Sequence, residues 1–370
     1  MTQLARKSIG ISAIAAYEPS WVLTNDWFGA AMARKFVHHT GIEARGVSAH
    51  DEVEMAKAAV ESLQRRTACD LRDCRGVVFV SPSFVPMDVA NKYLAVPDAK
   101  RERLGRAARQ LTRKLGIPDC PSYGVNWFCS GYARALAAVR RRFVLESTLE
   151  PNEFVLVMVS SRISRITDYE AAQSAPLFGD MATATMLSRI DSTKYPVHFR
   201  LKFAFAQTQP APGVFFDFEL RENVLVPAEL GGGRRVPQRV VYRLDGMGIA
   251  DTAPRAMSSA VEKALEVTRE KPERIRFVVP HQAGTAIVRL AGMKLDQLGV
   301  RGELINGMTS RIGNVSACSI PYALHQHWSR LEGLIACPTA AVGNPGKAEV
   351  SRGCVLLEST PLHRRMAIAS

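Results

Sequence analysis

Cys129 stands in the setting of a nucleophile. It occupies Tyr123-Gly124-Val125-Asn126-Trp127-Phe128-Cys129-Ser130-Gly131-Tyr132. A strand-like approach leads into a helical run from Ala133 to Leu145, with Leu136, Val139 and Phe143 at helical spacing. A cysteine at such a turn faces the N–H groups of a helix N-terminus. Their partial positive charge favours thiolate and lowers the pKa. A thiolate there would attack a carbonyl carbon and hold an acyl group covalently. A buried apolar cysteine is the structural alternative. His281 follows an apolar strand, in Val278-Val279-Pro280-His281-Gln282-Ala283-Gly284. Ligands gather at the carboxyl ends of strands in α/β sheets, so this histidine can reach one, although a core or surface role is the ordinary one. Asn314 lies in Ser310-Arg311-Ile312-Gly313-Asn314-Val315-Ser316-Ala317-Cys318-Ser319-Ile320-Pro321, where Gly313-Asn314 also reads as a turn ahead of a helical stretch.

The elements that must position these residues alternate between strand and helix, which predicts an α/β fold. Gly76-Val77-Val78-Phe79-Val80-Ser81 reads as a buried strand after a helix ending near Arg66. That helix opens at Asp51 with Glu54 three residues on, a capping arrangement, and Val53, Ala56, Ala59, Val60 and Leu63 share one face. Phe154 to Val159 is apolar throughout, the pattern of a strand covered on both sides. The second half repeats this grammar. A helix from about Ala253 to Glu270 precedes the strand Ile275 to Val279, and Gly353 to Glu358 reads as a last strand. Two similar halves fit this order: 1–195 carrying Cys129, and 196–370 carrying His281 and Asn314. Residues 86–116 form a basic helical segment inside the first half. Pro97-Asp98 opens it, Lys100, Arg101, Arg103, Arg106, Arg109, Arg113 and Lys114 charge it, and Leu104, Ala107, Ala108, Leu111 and Leu115 make an apolar face. It reads as a solvated surface helix or as a docking face for an acidic carrier.

Composition excludes several classes. The apolar run from Ile9 to Ala16 is too short for a secretory signal, and no stretch approaches the roughly 20 apolar residues of a membrane span. The expectation is a cytoplasmic protein with no membrane association. The 7 cysteines are odd in number and scattered, which argues against a disulfide framework, and no metal site is expected from their spacing. The net charge of +13 is spread along the chain without an aromatic-interleaved basic motif. Nucleic acid is therefore not the expected partner. The charge reads as a solvated basic surface or as attraction for an anionic carrier, namely coenzyme A phosphates or an acidic acyl carrier protein.

Taken together, the segments resemble the active-site signatures of β-ketoacyl-acyl carrier protein synthase III and its relatives in the thiolase superfamily. There the nucleophile motif looks like N-A-A-C-S-G-F, the histidine motif like P-H-Q-A-N and the asparagine motif like G-N-T-S-A-A-S-I-P. This chain offers NWFCSGY, PHQAG and GNVSACSIP in that order. Leu177-Phe178-Gly179-Asp180-Met181-Ala182-Thr183-Ala184 is similar to the family's F-G-D-G-A-G-A, and Thr40-Gly41-Ile42-Glu43-Ala44-Arg45 to its T-G-I-x-x-R. The matches run in register from about residue 8 to 358. The resemblance implies a thiolase-like fold, two α/β halves in a layered αβαβα arrangement, and a homodimer. It implies an acyltransferase with Cys129 as nucleophile and with His281 and Asn314 as donors to the carbonyl of a malonyl-type thioester. The reaction would be a Claisen-type, decarboxylative condensation. No cofactor is implied beyond coenzyme A or phosphopantetheine thioesters as substrates. Acyl transfer to an alcohol or amine, thioester hydrolysis, and a non-catalytic carrier-binding subunit are the other readings.

The chain departs from the family around the substrate. Trp127-Phe128 replace two small residues, and Gly284 replaces an asparagine. Met181 and Thr183 replace glycines. Lys35 and His39 stand where a tryptophan and an arginine grip adenine. Substrate contacts are expected from Trp127, Phe128, Phe178, Arg45 and His39. The oxyanion donors are expected to be the backbone N–H of Cys129 and that of Gly346, in a poor match to the family's glycine turn. The departures suggest a specialised relative with an unusual donor or acceptor.

Overall fold

The computed structural model describes residues 8–84, 104–117, 120–145, 149–171, 174–228 and 232–364. In the first part the strands are β1 (Ile9–Tyr17), β2 (Val22–Thr24), β3 (Ala44–Gly46), β4 (Cys74–Val80), β5 (Ser122–Val125), β6 (Phe154–Ser161) and β7 (Met181–Arg189). They are followed by β8 (Phe199–Pro210), β9 (Phe216–Pro227), β10 (Gly233–Leu244), β11 (Ile275–Val278), β12 (Glu303–Leu304), β13 (Leu334–Val342) and β14 (Glu349–Ser359). The α-helices are α1 (Ala30–Thr40), α2 (Glu52–Thr67), α3 (Leu104–Lys114), α4 (Gly131–Val139), α5 (Gly246–Thr268), α6 (Thr285–Gln297), α7 (Thr309–Ile312) and α8 (Ser319–Gln326).

Ten strands form one sheet in the order β12-β11-β13-β14-β8-β1-β7-β6-β4-β5. Read outward from the centre, both arms follow the same plan. Two antiparallel pairings (β1–β7–β6 and β8–β14–β13) come first, then two parallel ones (β6–β4–β5 and β13–β11–β12). The arms join only through a short antiparallel contact, Gly10 opposite Arg200 and Ile11 opposite Phe199. A side chain at Gly10 would collide there with the Phe199 carbonyl.

Three layers of helix enclose the sheet, the layered α/β architecture that the motifs imply. Between the inner faces lie α4 and α8. Tyr132, Leu136 and Val139 of α4 and Ile320 and Leu324 of α8 pack with Val157 and Val159 of one arm and Ile335 and Val355 of the other. Outside the first arm, α2 and α3 cover Val77, Phe79 and Leu156 with Met55, Val60, Leu63 and Leu111. Outside the second, α5 and α6 cover Ile275, Ala336 and Leu356 with Val261, Leu265 and Leu295. Successive residues of β6 serve opposite layers, so the whole strand is apolar and buried. The chain forms α2 where its apolar face and the Asp51 cap predict it. Asp51 accepts from the N–H groups of Val53 and Glu54 at 3.0 and 2.9 Å.

One element differs from the sequence reading. Helix α5 begins at Gly246, seven residues before Ala253, because Asp245 caps it by accepting from Met247 and Gly248. Two glycines in its first turn mask that start from propensity. In the basic segment, helix α3 starts at Leu104; the proposed opening at Pro97-Asp98 lies outside the described residues. Its Ala107, Ala108 and Leu111 face the core as expected.

The β9–β10 hairpin forms a separate two-stranded sheet and shelters the catalytic end of the molecule. The segment before β7 pairs with the segment before α8. Asn314 N–H donates to Leu177 O at 2.9 Å, and Gly179 N–H donates to Asn314 O at 3.1 Å. Gly179 has to lack a side chain, since a Cβ would run into the Ile312 carbonyl. Replacing Gly179 by Ala is expected to cost about 2 kcal/mol by overpacking. Urea unfolding checks this, and an unchanged midpoint would show that the two segments are not held together here.

Candidate active site

Three segments deliver the polar side chains of the predicted triad. Cys129 sits in a single 3-10 turn, Phe128–Ser130, at the entrance to α4. Phe128 just before it is held at φ 42°, a left-handed conformation that a bulky residue adopts only under constraint. Its ring packs edge-on against Phe216, centroids 4.8 Å apart, and this contact anchors the turn. The Cys129 carbonyl accepts from Thr339 Oγ1 at 3.0 Å, which ties the turn to β13. His281 lies beyond the end of β11, and its N–H donates to Pro338 O at 2.9 Å. Asn314 is held by the bridge described above.

These residues line one cavity of about 90 Å³. Cys129, His281, Asn314 and Ser316 form its polar side; Phe128, Ile163, Phe178, Phe216, Tyr242 and Ile287 belong to its apolar walls. Three residues that lie far apart in sequence thus share one space, as the motif order requires. Two serines that sequence reading passed over complete the arrangement. Ser316 Oγ lies 3.3 Å from Cys129 Sγ, and its backbone is itself left-handed at φ 51°. Ser319 Oγ lies 2.7 Å from His281 Nδ1. Both stand in the GNVSACSIP segment, but a serine near a helix start signals capping, and nothing in its spacing points to a sulfur or an imidazole.

The hydrogen bonds fix what each group can donate. Ser319 Oγ accepts from Gln282 N–H at 3.2 Å. With the Ser319 hydroxyl as donor to His281 Nδ1, the ring hydrogen sits on Nε2, the tautomer that a donor role requires. Burial pulls the His281 pKa down to about 3, so the ring is neutral at ordinary pH. Asn314 Oδ1 accepts from Ser316 N–H at 2.9 Å, which orients the amide and leaves Nδ2 to donate. Two uncharged donors therefore line a water-poor cavity beside the sulfur. Such an arrangement stabilises negative charge on a carbonyl oxygen.

The thiol itself departs from expectation. The helix N-terminus was expected to lower its pKa; the sulfur is half-buried, and desolvation pushes the pKa up to about 11, with the Ser316 hydrogen bond acting in the other direction. The resting group is a thiol.

The remaining predicted contacts divide. Phe128 and Phe178 line the cavity. Trp127 does not; it turns to Arg134, whose guanidinium carbon lies 4.7 Å from the ring centroid. Arg45 is no substrate ligand. It is 1% exposed, and its guanidinium donates to the carbonyls of Pro176 and Leu23 and to Asn25 Oδ1, bracing the chain behind the site. His39 is exposed on α1, edge-on to His38, and is not among the residues that line the cavity. Gly346 is corrected as an oxyanion donor. Its N–H is already given to Phe216 O at 2.8 Å. The cavity is bounded instead by Ala340 and Ala341 of β13.

The chain is also similar to known proteins. Residues 123–202 match the family model of 3-oxoacyl-[acyl-carrier-protein] synthase III, and residues 265–333 match that of its C-terminal part. The chain is 25% identical to the β-ketoacyl-[acyl-carrier-protein] synthase III of Sulfurovum sp. over 338 residues, covering 89% of each protein. These matches support a synthase III-like condensing enzyme. Its fold matches the crystal structure of the 3-oxoacyl-[acyl-carrier-protein] synthase III from Aquifex aeolicus, with a TM-score of 0.66 and 20% identity over 95% of this chain and 99% of that one. A tetronic acid condensing enzyme is similar at a TM-score of 0.69 and 17% identity, over 95% and 100% of the two chains. Among the described residues no helix of this synthase III-like enzyme is long and apolar enough to cross a membrane.

The raised thiol pKa has a direct consequence. Alkylation of Cys129 by iodoacetamide is expected to accelerate about tenfold per pH unit between pH 7 and 9, because thiolate is the reactive form. Rates followed by intact mass check this; a plateau by pH 7 would mean that the helix field outweighs burial.

Proposed function

We propose that Cys129 takes an acyl group from a coenzyme A or carrier-protein thioester and passes it to a malonyl-type thioester. The single supporting observation is the shared cavity in which a cysteine at a helix entrance meets two oriented neutral donors. In the first step a bond forms from Sγ to the acyl carbon, and the donor thiol leaves with the proton that Sγ gives up. In the second, the malonyl group loses carbon dioxide, and His281 Nε2–H and Asn314 Nδ2–H stabilise the enolate oxygen. The carbanion attacks the acyl carbon, Cys129 leaves as thiolate and takes a proton from solvent, and a β-ketoacyl thioester results. The reaction asks for no group beyond the two thioesters.

The oxyanion of the tetrahedral intermediate requires N–H donors. The Cys129 amide is one. Ala340 is the better candidate for the second. Gly343 N–H donates to Glu349 O across the β13–β14 ladder, so that directly opposed pair is a hydrogen-bonded one. Antiparallel ladders alternate, and Ala340 opposite Arg352 falls on a pair whose N–H points away from β14.

The aromatic walls favour a short acyl group. The space beside the sulfur is narrow, about 90 Å³, and is walled by Phe128, Phe178, Phe216 and Tyr242. A homodimer remains part of the proposal, supported by β5, which among the described residues pairs only with β4 and ends the sheet.

Intact mass after incubation with acyl-coenzyme A donors of increasing length tests the nucleophile. Short donors should leave one adduct and Cys129→Ala none. Phe128→Ala should extend the range to longer chains. An adduct on the Cys129→Ala protein would sink the assignment. For condensation, His281→Ala or Asn314→Ala should lower the rate about 100-fold while the acyl adduct still forms. Loss of acylation in both variants would give these side chains a different role.

A further inference from the structure

The acylation step leaves one proton to be moved. Cys129 rests as a thiol, and the donor's sulfur needs a proton when it departs. The side chains around the cavity offer few ways to carry it. His281 presents Nε2–H and has Nδ1 occupied by Ser319 Oγ at 2.7 Å. Burial of the ring also makes it a poor base. Asn314 has Oδ1 occupied by Ser316 N–H at 2.9 Å, and its Nδ2 only donates. Tyr242 turns its hydroxyl to Ser174 O at 3.3 Å.

Among the described residues, the polar side chain within hydrogen-bonding distance of Sγ is that of Ser316, with Oγ at 3.3 Å. Ser316 is buried and lines the cavity. A hydroxyl carries one hydrogen and two lone pairs, so it can accept from one sulfur while it donates to another. The left-handed backbone at Ser316, φ 51°, is costly for a serine and is held by the bond from its N–H to Asn314 Oδ1. The bond that orients the Asn314 amide thus also fixes the backbone from which the Ser316 hydroxyl projects.

We propose that Ser316 is a further catalytic residue, a hydroxyl relay that carries the Cys129 proton to the departing thiol. As Sγ bonds to the acyl carbon, the Sγ–H bond breaks and its proton passes to Ser316 Oγ. In the same movement the Ser316 O–H bond breaks, and that proton passes to the donor sulfur as its bond to the acyl carbon breaks. Two protons move, no net charge is left behind, and the serine ends as it began. Both sulfurs are bonded to one tetrahedral carbon at that moment, so a hydroxyl beside the first is within reach of the second. The inference rests on the reading of Cys129 as the acyl acceptor.

Acylation rates of Ser316→Ala and Ser316→Gly, followed by quenched intact mass at pH 7, test it. The donor is the one that acylates the wild type fastest in a series from acetyl- to octanoyl-coenzyme A. Both variants keep the N–H that orients Asn314, and glycine accepts the left-handed backbone without strain. Acylation should slow about 100-fold in both. Alkylation of Cys129 by iodoacetamide needs thiolate but hands no proton to the leaving iodide, so it should change by less than about threefold. In mixtures of light and heavy water, the wild-type acylation rate should curve with deuterium content, as two protons in flight require, and the variants should lose the curvature. Thermal melting checks that the variants are folded. The proposal is overturned if either folded variant acylates as fast as the wild type. It is also overturned if acylation and alkylation fall by the same factor, which would make the serine a support for the thiolate alone. A wild type that takes an acyl group from no donor in the series would instead bring down the reading of Cys129 itself.

Discussion

Asn314 is held at three points, by Leu177 O, by Gly179 N–H and by its own Oδ1 on Ser316 N–H. The segment that delivers an amide from the second arm of the sheet is therefore laced to the Leu177–Asp180 segment of the first. The lacing leaves the amide nitrogen as the group free to donate. Gly179 makes the approach possible, and the buried Arg45 braces the other side through Pro176 O. Several motif positions that look like substrate contacts are the scaffold of this crossing. Together with the Thr339 bond to the Cys129 carbonyl and the α4 and α8 packing between the arms, the crossing sets how Cys129 faces Asn314 and His281.

Water exclusion then sets the chemistry. The same apolar walls that raise the Cys129 pKa lower that of His281, since burial penalises both the thiolate and the imidazolium. The result is a neutral cavity with oriented donors and no fixed charge. In such surroundings, charge that forms on a substrate oxygen is stabilised by dipoles already in place. In the proposed acyl transfer, a thiol with so raised a pKa gives up its proton as the acyl group is taken. Ser316, within hydrogen-bonding distance of the sulfur, is the polar neighbour placed to accompany that event.

The hairpin β9–β10 links this cavity to the rest of the surface. One part of it contributes Phe216 and Tyr242 to the walls around the sulfur. The part nearer its tip lines a larger groove on the far side of the Ile163–Ile166 turn. Substitutions on one short turn would therefore act on both spaces.

The sequence by itself determined the elements and the order of the chemical residues. Apolar runs such as Phe154–Val159 can only be buried strands, Asp51 can cap only the helix that follows it, and the motifs around Cys129, His281 and Asn314 are local enough to be read directly. The family, and with it the layered α/β fold, followed from those motifs in order. Tertiary structure decided whatever depends on neighbours distant in the chain. Local pattern made the cysteine a thiolate at a helix end; the packing of Phe128, Phe216 and Ile163 around it made it a thiol. Arg45 looked like a ligand until its three acceptors, from Leu23, Asn25 and Pro176, were seen to surround it. The amide of Gly346 was spent on Phe216, a residue 130 positions away. Burial and hydrogen-bond pairing are properties of the whole fold, and a motif records the residue without recording its partners.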